Sequence, residues 1–338
     1  MEKIWEKDFG YSFFKPYIVW ATRTLFSKVN VKGLEHLPDP GKTAVIVTAN
    51  HCNTLMDALV ILQSSKDTFA YVARADIFKK PFIAHLLGNM RILPIYRRRD
   101  GEDSREKNEA IFDNVVEAIN HGVMLSIHPE GTHRARRSLM AFKTGAVRIA
   151  QQSAVTHPDK PVCIVPAGLN YDDLFNIMRP VTLTFGEPIA ITGDEDVHEM
   201  TETLRERVSE LFPCFPDDEN LAAAENAYEE SIRPKSSICD HFLALLLLPL
   251  MAVSGFLCSP MLILTAILKP KLKDHAWYNT MRYVVKLFLT PFTVIGAAIA
   301  GFINLKWYLA VALILCTVYA HPAFYWILAF LRTRIFKK

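Results

Sequence analysis

The last hundred residues set the tightest limit on what this chain can fold into. Phe242 to Leu268 holds no charged side chain over 27 positions, and neither do Leu287 to Leu305 or Trp307 to Leu331, which only Lys306 separates. Runs of roughly 20 such residues match the thickness of a bilayer core. Residues 1–235 instead alternate apolar and charged stretches, as a globular domain does. The chain therefore divides into a short N-terminal segment (1–29), a globular domain (30–212), a polar helix with linker (213–240) and a membrane region (241–338). The hydrophobic fraction of 51% is high for a soluble protein, and the membrane region accounts for the excess.

Basic residues set the expected topology. Lys269, Lys271 and Lys273 with Arg282 and Lys286, and the tail Arg332, Arg334, Lys337 and Lys338, predict one cytoplasmic side for both groups. The last two apolar runs then form a hairpin turning at Asn304 to Lys306. If the globular domain shares that side, Phe242–Leu268 must enter and leave the same face, and Pro249, Gly255 and Pro260 permit such re-entry. A single tilted span is the simpler alternative. Phe9 to Phe26, aromatic with interspersed Lys15 and Arg23, reads either as an amphipathic helix lying in the headgroup region or as a helix packed on its own domain. Met1 to Asp8 is charged and leads into no signal-peptide pattern. A net charge of +3 gives no electrostatic case for nucleic acid. The six cysteines form no CxxC pair, which suits free, buried thiols in a reducing compartment.

Within residues 29–211, strand-like and helix-like stretches alternate. Val29–Leu34, Ala44–Ala49, Phe69–Ala73, Arg91–Arg97, Val123–His128, Val162–Gly168 and Val181–Gly186 read as strands. Apolar residues at helical spacing fill 104–121 and 197–211. The order predicts an α/β fold: a largely parallel sheet with helices on both faces. Several strands finish on polar residues, which points to a shared site at one sheet edge. The first such end is Asn50-His51-Cys52-Asn53-Thr54-Leu55-Met56-Asp57. A histidine with a nearby carboxylate is a candidate general base with its orienting acid, though alone such a pair is more often a cap or a surface pair. His128, Glu130 and His133 form an H-x-E-x2-H array that does not match a recognised zinc spacing, and no metal is expected.

Four strand-end patterns, NHCNTLMD, ILPIYR, HPEGTHR and IVPAG, occur in order over residues 30–190. Together they resemble the glycerolipid acyltransferase family, which moves a fatty acyl group from coenzyme A or acyl carrier protein to glycerol 3-phosphate or lysophosphatidate. The resemblance implies His51 and Asp57 as the catalytic pair. It implies Asn50, Arg97, Glu130, Gly131, Thr132, His133 and Arg134 around the acceptor, Arg97 on its phosphate. Val165 and Pro166 stand where the family's acyl-donor motif falls. No cofactor is implied, since the acyl thioester is a co-substrate. The implied partners are membrane lipids, the acceptor and the acyl donor, at the cytoplasmic face of the membrane, in phospholipid biosynthesis. Two departures stand out. Five residues separate His51 from Asp57 where the family pattern has four, and one extra residue would rotate an ideal helix by about 100°. The intervening loop must absorb it. The longer spacing resembles a branch with fungal glycerol-3-phosphate and dihydroxyacetone-phosphate acyltransferases. His133 also replaces the arginine of the third motif, with Arg134 one position late.

Rival classes lack their signatures: there is no G-x-S-x-G elbow and no G-x-x-x-x-G-K-[ST] phosphate loop. A transferase acting on dihydroxyacetone phosphate or another lysolipid, and a non-catalytic membrane lipid-binding protein, are the alternatives.

Overall fold

The apolar run Ala44–Ala49 forms strand β2, buried along its whole length, and the sheet is built outwards from it. The computed structural model of the chain describes residues 4–6, 9–97, 101 and 103–336. Eight strands lie among the described residues: β1 (Val29–Lys32), β2 (Ala44–Ala49), β3 (Phe69–Arg74), β4 (Ile92–Ile95), β5 (Met124–Ile127), β6 (Val162–Tyr171), β7 (Val181–Phe185) and β8 (Ile189–Ile191). Their order is β1-β7-β6-β2-β5-β3-β4, with β8 also on β6. Strands β2 to β6 run parallel to one another. Strands β7 and β8 run antiparallel to β6, and β1 follows β7. The sheet is therefore largely parallel with an antiparallel flank. All the carboxyl ends of β2 to β6 open on one edge, where residues 50, 75, 96, 128 and 172 leave the sheet.

Helices cover both faces because the strands are apolar on both. Helices α1 (Phe9–Arg23) and α2 (Leu55–Ser64) pack on one face, over Val45, Val47 and Phe69. Helices α4 (Ser104–Asn120), α5 (Gly145–Thr156) and α6 (Val197–Ser209) pack on the other, over Ile46, Leu125 and Ile164. Helix α3 (Pro81–Asn89) links β3 to β4 and buries none of its residues, and α7 (Leu221–Ile232) is the helix expected in the 213–240 connection. Helix α1 is packed on its own domain through Tyr11 and Ala21, with Leu25 just beyond its end, while Phe13 and Phe14 point outwards. The packing is that of the second reading of this segment, a helix packed on its own domain.

The membrane region comprises α8 (Ile238–Leu257), α9 (Ser259–Leu268), α10 (Trp277–Asn304) and α11 (Trp307–Phe330). Three helices, Ile238–Leu257, Trp277–Asn304 and Trp307–Ile335, are long and apolar enough to cross a membrane. The 27-residue run is not one helix: it breaks at Cys258, where Pro260 in the following first turn cannot continue the ladder of α8. Ala244, early in α8, packs with Ile327 and Leu331, and Leu268, at the end of α9, and Leu272 beyond it pack with Met281. Both ends of this helix pair thus lie at the end of the α10–α11 hairpin that adjoins the sheet domain. At the far end the hairpin closes tightly: a Cβ on Gly301 would come within 3.1 Å of the Ala310 backbone.

Two expectations change here. Helix α10 starts ten residues before the uncharged run, because its first turns pack on the sheet domain rather than on lipid. Arg282 and Lys286, read as charges facing the cytoplasm, are consequently buried. Arg282 donates to the carbonyl of Phe175 at 2.6 Å, and Lys286 donates to the Thr24 hydroxyl and the Ala21 carbonyl. The cysteines are free, as expected, yet only Cys52, Cys163 and Cys258 are buried; Cys239 and Cys316 are exposed on outward faces of apolar helices. Lys337 and Lys338 lie outside the described residues.

Candidate active site

The chain leaves β2 through a loop held from several sides. Asn50 is buried and uses both ends of its amide on one residue of β6: its Oδ1 accepts the Leu169 N–H at 2.7 Å and its Nδ2 donates to the Leu169 carbonyl at 3.0 Å. Glu130, buried after β5, accepts the N–H of His51 at 2.7 Å through one oxygen and that of Met140 at 3.0 Å through the other. The His51 carbonyl accepts the Arg134 N–H at 3.0 Å. The backbone of residue 51 is thereby fixed before its side chain does anything.

The side chain then meets Asp57. Nδ1 of His51 lies 2.8 Å from Oδ2 of Asp57, which is fully buried in the first turn of α2. A carboxylate accepts, so Nδ1 carries the proton and Nε2 is the free base. Asp57 is itself held by three further donors. The N–H of Asn53 reaches Oδ2 at 2.8 Å, the Tyr171 hydroxyl reaches Oδ1 at 2.8 Å, and the Cys52 thiol approaches at 3.9 Å. Burial pushes the Tyr171 phenol and the Cys52 thiol well above their ordinary pKa values, so both stay protonated donors. Within the His51–Asp57 loop, Thr54 sits at φ 48°, ψ −125°.

His128 completes the floor. Its ring stacks on that of His51 with centroids 4.3 Å apart and an interplanar angle of 8°. Its Nδ1 donates to the carbonyls of Ala49 and Asn50, both at 3.1 Å. Burial lowers its pKa to about 4, and the neighbouring His51 adds to that. It is a neutral plate stacked against the His51 ring. Sequence reading weighed His128 only as a metal ligand and did not single out Tyr171; partners that lie 77 and 114 positions away from residues 51 and 57 leave no local pattern. Among the described residues no group of three or more His, Cys, Asp or Glu is arranged to hold a metal.

The other expected site residues divide into two groups. His133 stands beside the base, its ring edge-on to His51 at 5.7 Å and to Trp277 at 5.5 Å, with Nε2 2.9 Å from Oδ2 of Asp274. Gly131 and Thr132 are exposed at the open edge, and Gly131 adopts φ 72°, which its lack of a Cβ permits. Arg97 follows β4 on the same edge, three strand spacings or about 14 Å from β2. There Asp76 holds its guanidinium at 3.4 Å. Arg98 and Arg99 lie outside the described residues.

Five of the residues expected around the substrates have their contacts within the fold. Asn50 and Glu130, expected at the acceptor, place their polar atoms on backbone groups and so hold the loop. Arg134, expected at a phosphate, has its guanidinium on Asp217 at 2.7 Å and Ser138 at 2.8 Å. Val165 and Pro166, expected at the acyl donor, are buried in mid-sheet opposite Val47 and Thr48, with no face towards the open edge.

The Acyltransferase family model matches residues 28–169. The chain is 30% identical over 139 residues to 1-acyl-sn-glycerol-3-phosphate acyltransferase LPAT1, chloroplastic, of Arabidopsis thaliana, covering 40% of this chain and 37% of that protein. It is 32% identical over 103 residues to Glycerol-3-phosphate O-acyltransferase 1 of Saccharomyces cerevisiae, covering 30% of this chain and 14% of that protein. It thus spans well under half the length of these curated relatives. Among solved structures it is similar to the 1-acyl-sn-glycerophosphate (LPA) acyltransferase PlsC of Thermotoga maritima, at 24% identity and TM-score 0.44 over 59% of this chain and 77% of that one. The matched region contains the strands that lead into His51, Arg97 and Glu130, and over that region the chain is similar to glycerolipid acyltransferases.

Proposed function

We propose that this protein transfers a fatty acyl group from a thioester donor, acyl-CoA or acyl carrier protein, to a hydroxyl of glycerol 3-phosphate or lysophosphatidate. The observation that carries the proposal is the 2.8 Å contact between Nδ1 of His51 and the buried Asp57, which leaves Nε2 as a base at an open sheet edge. Nε2 takes the acceptor's hydroxyl proton as that oxygen attacks the thioester carbonyl. Asp57 holds the tautomer and stabilises the imidazolium that forms. The tetrahedral intermediate collapses with cleavage of the carbon–sulfur bond, and the imidazolium returns the proton to the departing thiolate. The substrate hydroxyl plays the part that serine plays in a hydrolase, so no acyl-enzyme is needed.

Both acceptors carry a phosphomonoester a few bonds from a free hydroxyl. Arg97, drawn from Asp76, would meet that phosphate by charge-assisted hydrogen bonds, and His133 would line the path between them. The relatives' names divide between the two acceptors, so one panel decides. The full chain in bilayer nanodiscs is incubated with radiolabelled acyl-CoA or acyl carrier protein and with glycerol 3-phosphate, lysophosphatidate, dihydroxyacetone phosphate or lysophosphatidylcholine, and the lipid products are separated. The proposal expects label in phosphatidate or lysophosphatidate. Label only in the phosphocholine product, or in none, would overturn it. We infer a cytoplasmic position for the active site from the basic residues Lys269, Lys271 and Lys273, which share its side of the hairpin.

A further inference from the structure

The catalytic loop is clamped by a helix that belongs to the membrane region. Thr54 has a β-branched side chain at φ 48°, ψ −125°, a backbone conformation that is unfavourable for an L-residue of this kind unless its surroundings impose it. What imposes it comes from the start of α10. The Thr54 hydroxyl hydrogen-bonds the Thr280 hydroxyl and lies 3.3 Å from the carbonyl of Ala276, just before that helix. One turn along, Asn279 extends Nδ2 towards Oδ1 of Asn53 at 3.5 Å and donates to the Leu174 carbonyl at 2.9 Å. Thr54, Ala276, Asn279 and Thr280 are all buried. Asn53, in turn, is the residue whose N–H holds Asp57, so the clamp acts one residue from the carboxylate that orients His51.

We propose that Thr280, with the Ala276 carbonyl and Asn279, is a positioning residue for acyl transfer: the membrane helix holds Thr54 in its strained turn and so sets the His51–Asp57 geometry across the lengthened loop. This rests on the acyltransferase reading above. All three act through Thr54 and Asn53 and not on the reacting atoms. The clamp makes α10 part of the active site rather than only its anchor, and it explains how a five-residue spacer still brings Nδ1 of His51 to Asp57.

Strain supplies a test that ordinary packing would not pass. If Thr54 only filled space, Thr54→Ala would harm less than Thr54→Gly, because alanine leaves the smaller cavity. If the hydroxyl clamp holds a conformation unfavourable to any Cβ, the order reverses. Alanine keeps the Cβ and loses the clamp, whereas glycine takes φ 48° without one. For the full chain in nanodiscs, with radiolabelled acyl-CoA and the acceptor that the panel identifies, kcat should fall about tenfold in Thr54→Ala and no more than about threefold in Thr54→Gly. The acceptor KM should be nearly unchanged in both. Thr280→Val should lower kcat about tenfold in the wild-type background and less than about twofold in the Thr54→Gly background, since a glycine no longer needs the hydroxyl. Thr280→Ser, which keeps the hydroxyl, should restore most of the rate.

Equal losses from Thr280→Val in both backgrounds, or glycine worse than alanine at position 54, would overturn the inference. The comparison at position 54 stands even if Thr280→Val does not fold. A wild-type chain that transfers no acyl group would sink the parent reading, whereas an active wild type with the reversed order would sink this inference alone.

Discussion

At residue 57 four donors converge on one buried carboxylate. Tyr171 reaches Oδ1 of Asp57 from the end of β6, and a hydrogen bond to a charged group is worth about 1.5–3 kcal/mol. Tyr171→Phe is therefore expected to lower kcat roughly tenfold while the acceptor KM holds, measured as initial rates over an acceptor series. His128 gives a pH signature. Its pKa of about 4 in the fold lies below the ordinary 6.5, so the unfolded chain binds an extra proton between those values. Its contribution to stability is complete above about pH 6.5 and is lost as pH falls towards 4. Between pH 7.5 and pH 5 this amounts to about 2 kcal/mol. A His128→Gln variant should lose correspondingly less stability than the wild type over that interval, as read from denaturant midpoints. Equal losses in the two proteins would show that the histidine is not buried neutral.

At the scale of elements, strand β6 carries both the Leu169 backbone that clamps Asn50 and the Tyr171 that holds Asp57. Its place depends on a close approach: a Cβ on Gly168 would lie 2.6 Å from the Leu211 carbonyl oxygen, just beyond the end of α6. Gly168→Ala must push the strand from the helix and should cost about 1–3 kcal/mol. The measurement is the unfolding midpoint, and an unchanged midpoint would contradict the packing described. Much of this layer was legible beforehand. The apolar runs at 44–49, 69–73 and 162–168 are strands because they are short, β-branched and bounded by turn residues. What periodicity could not reveal is direction: β7 runs against β6, and nothing in Val181–Phe185 encodes which way it pairs. Nor could local pattern show that Arg134 faces Asp217 and that Val165 lies in mid-sheet, since both depend on residues far away in the chain.

For the whole molecule, the sheet domain and the start of the membrane hairpin are joined by buried polar contacts. Arg282 and Lys286 look in sequence like charges that mark the membrane's inner face. In the fold they tie α10 to the β6–β7 connection and to α1. The remaining basic cluster before α10 and the turn at Lys306 lie at opposite ends of the hairpin. A membrane-impermeant maleimide should accordingly label Lys271→Cys and Lys306→Cys from opposite sides of sealed vesicles, in a background with the natural cysteines removed. Labelling of both from one side would mean that the hairpin does not cross. The central claim, that Nε2 of His51 removes the acceptor's proton, is tested most directly by the initial rate of radiolabelled acyl transfer in His51→Ala against the wild type, with matched unfolding midpoints as the control for folding. The account predicts a rate lower by about 10²–10⁴-fold in a protein that still folds. A folded His51→Ala protein that turns over at the wild-type rate would contradict it.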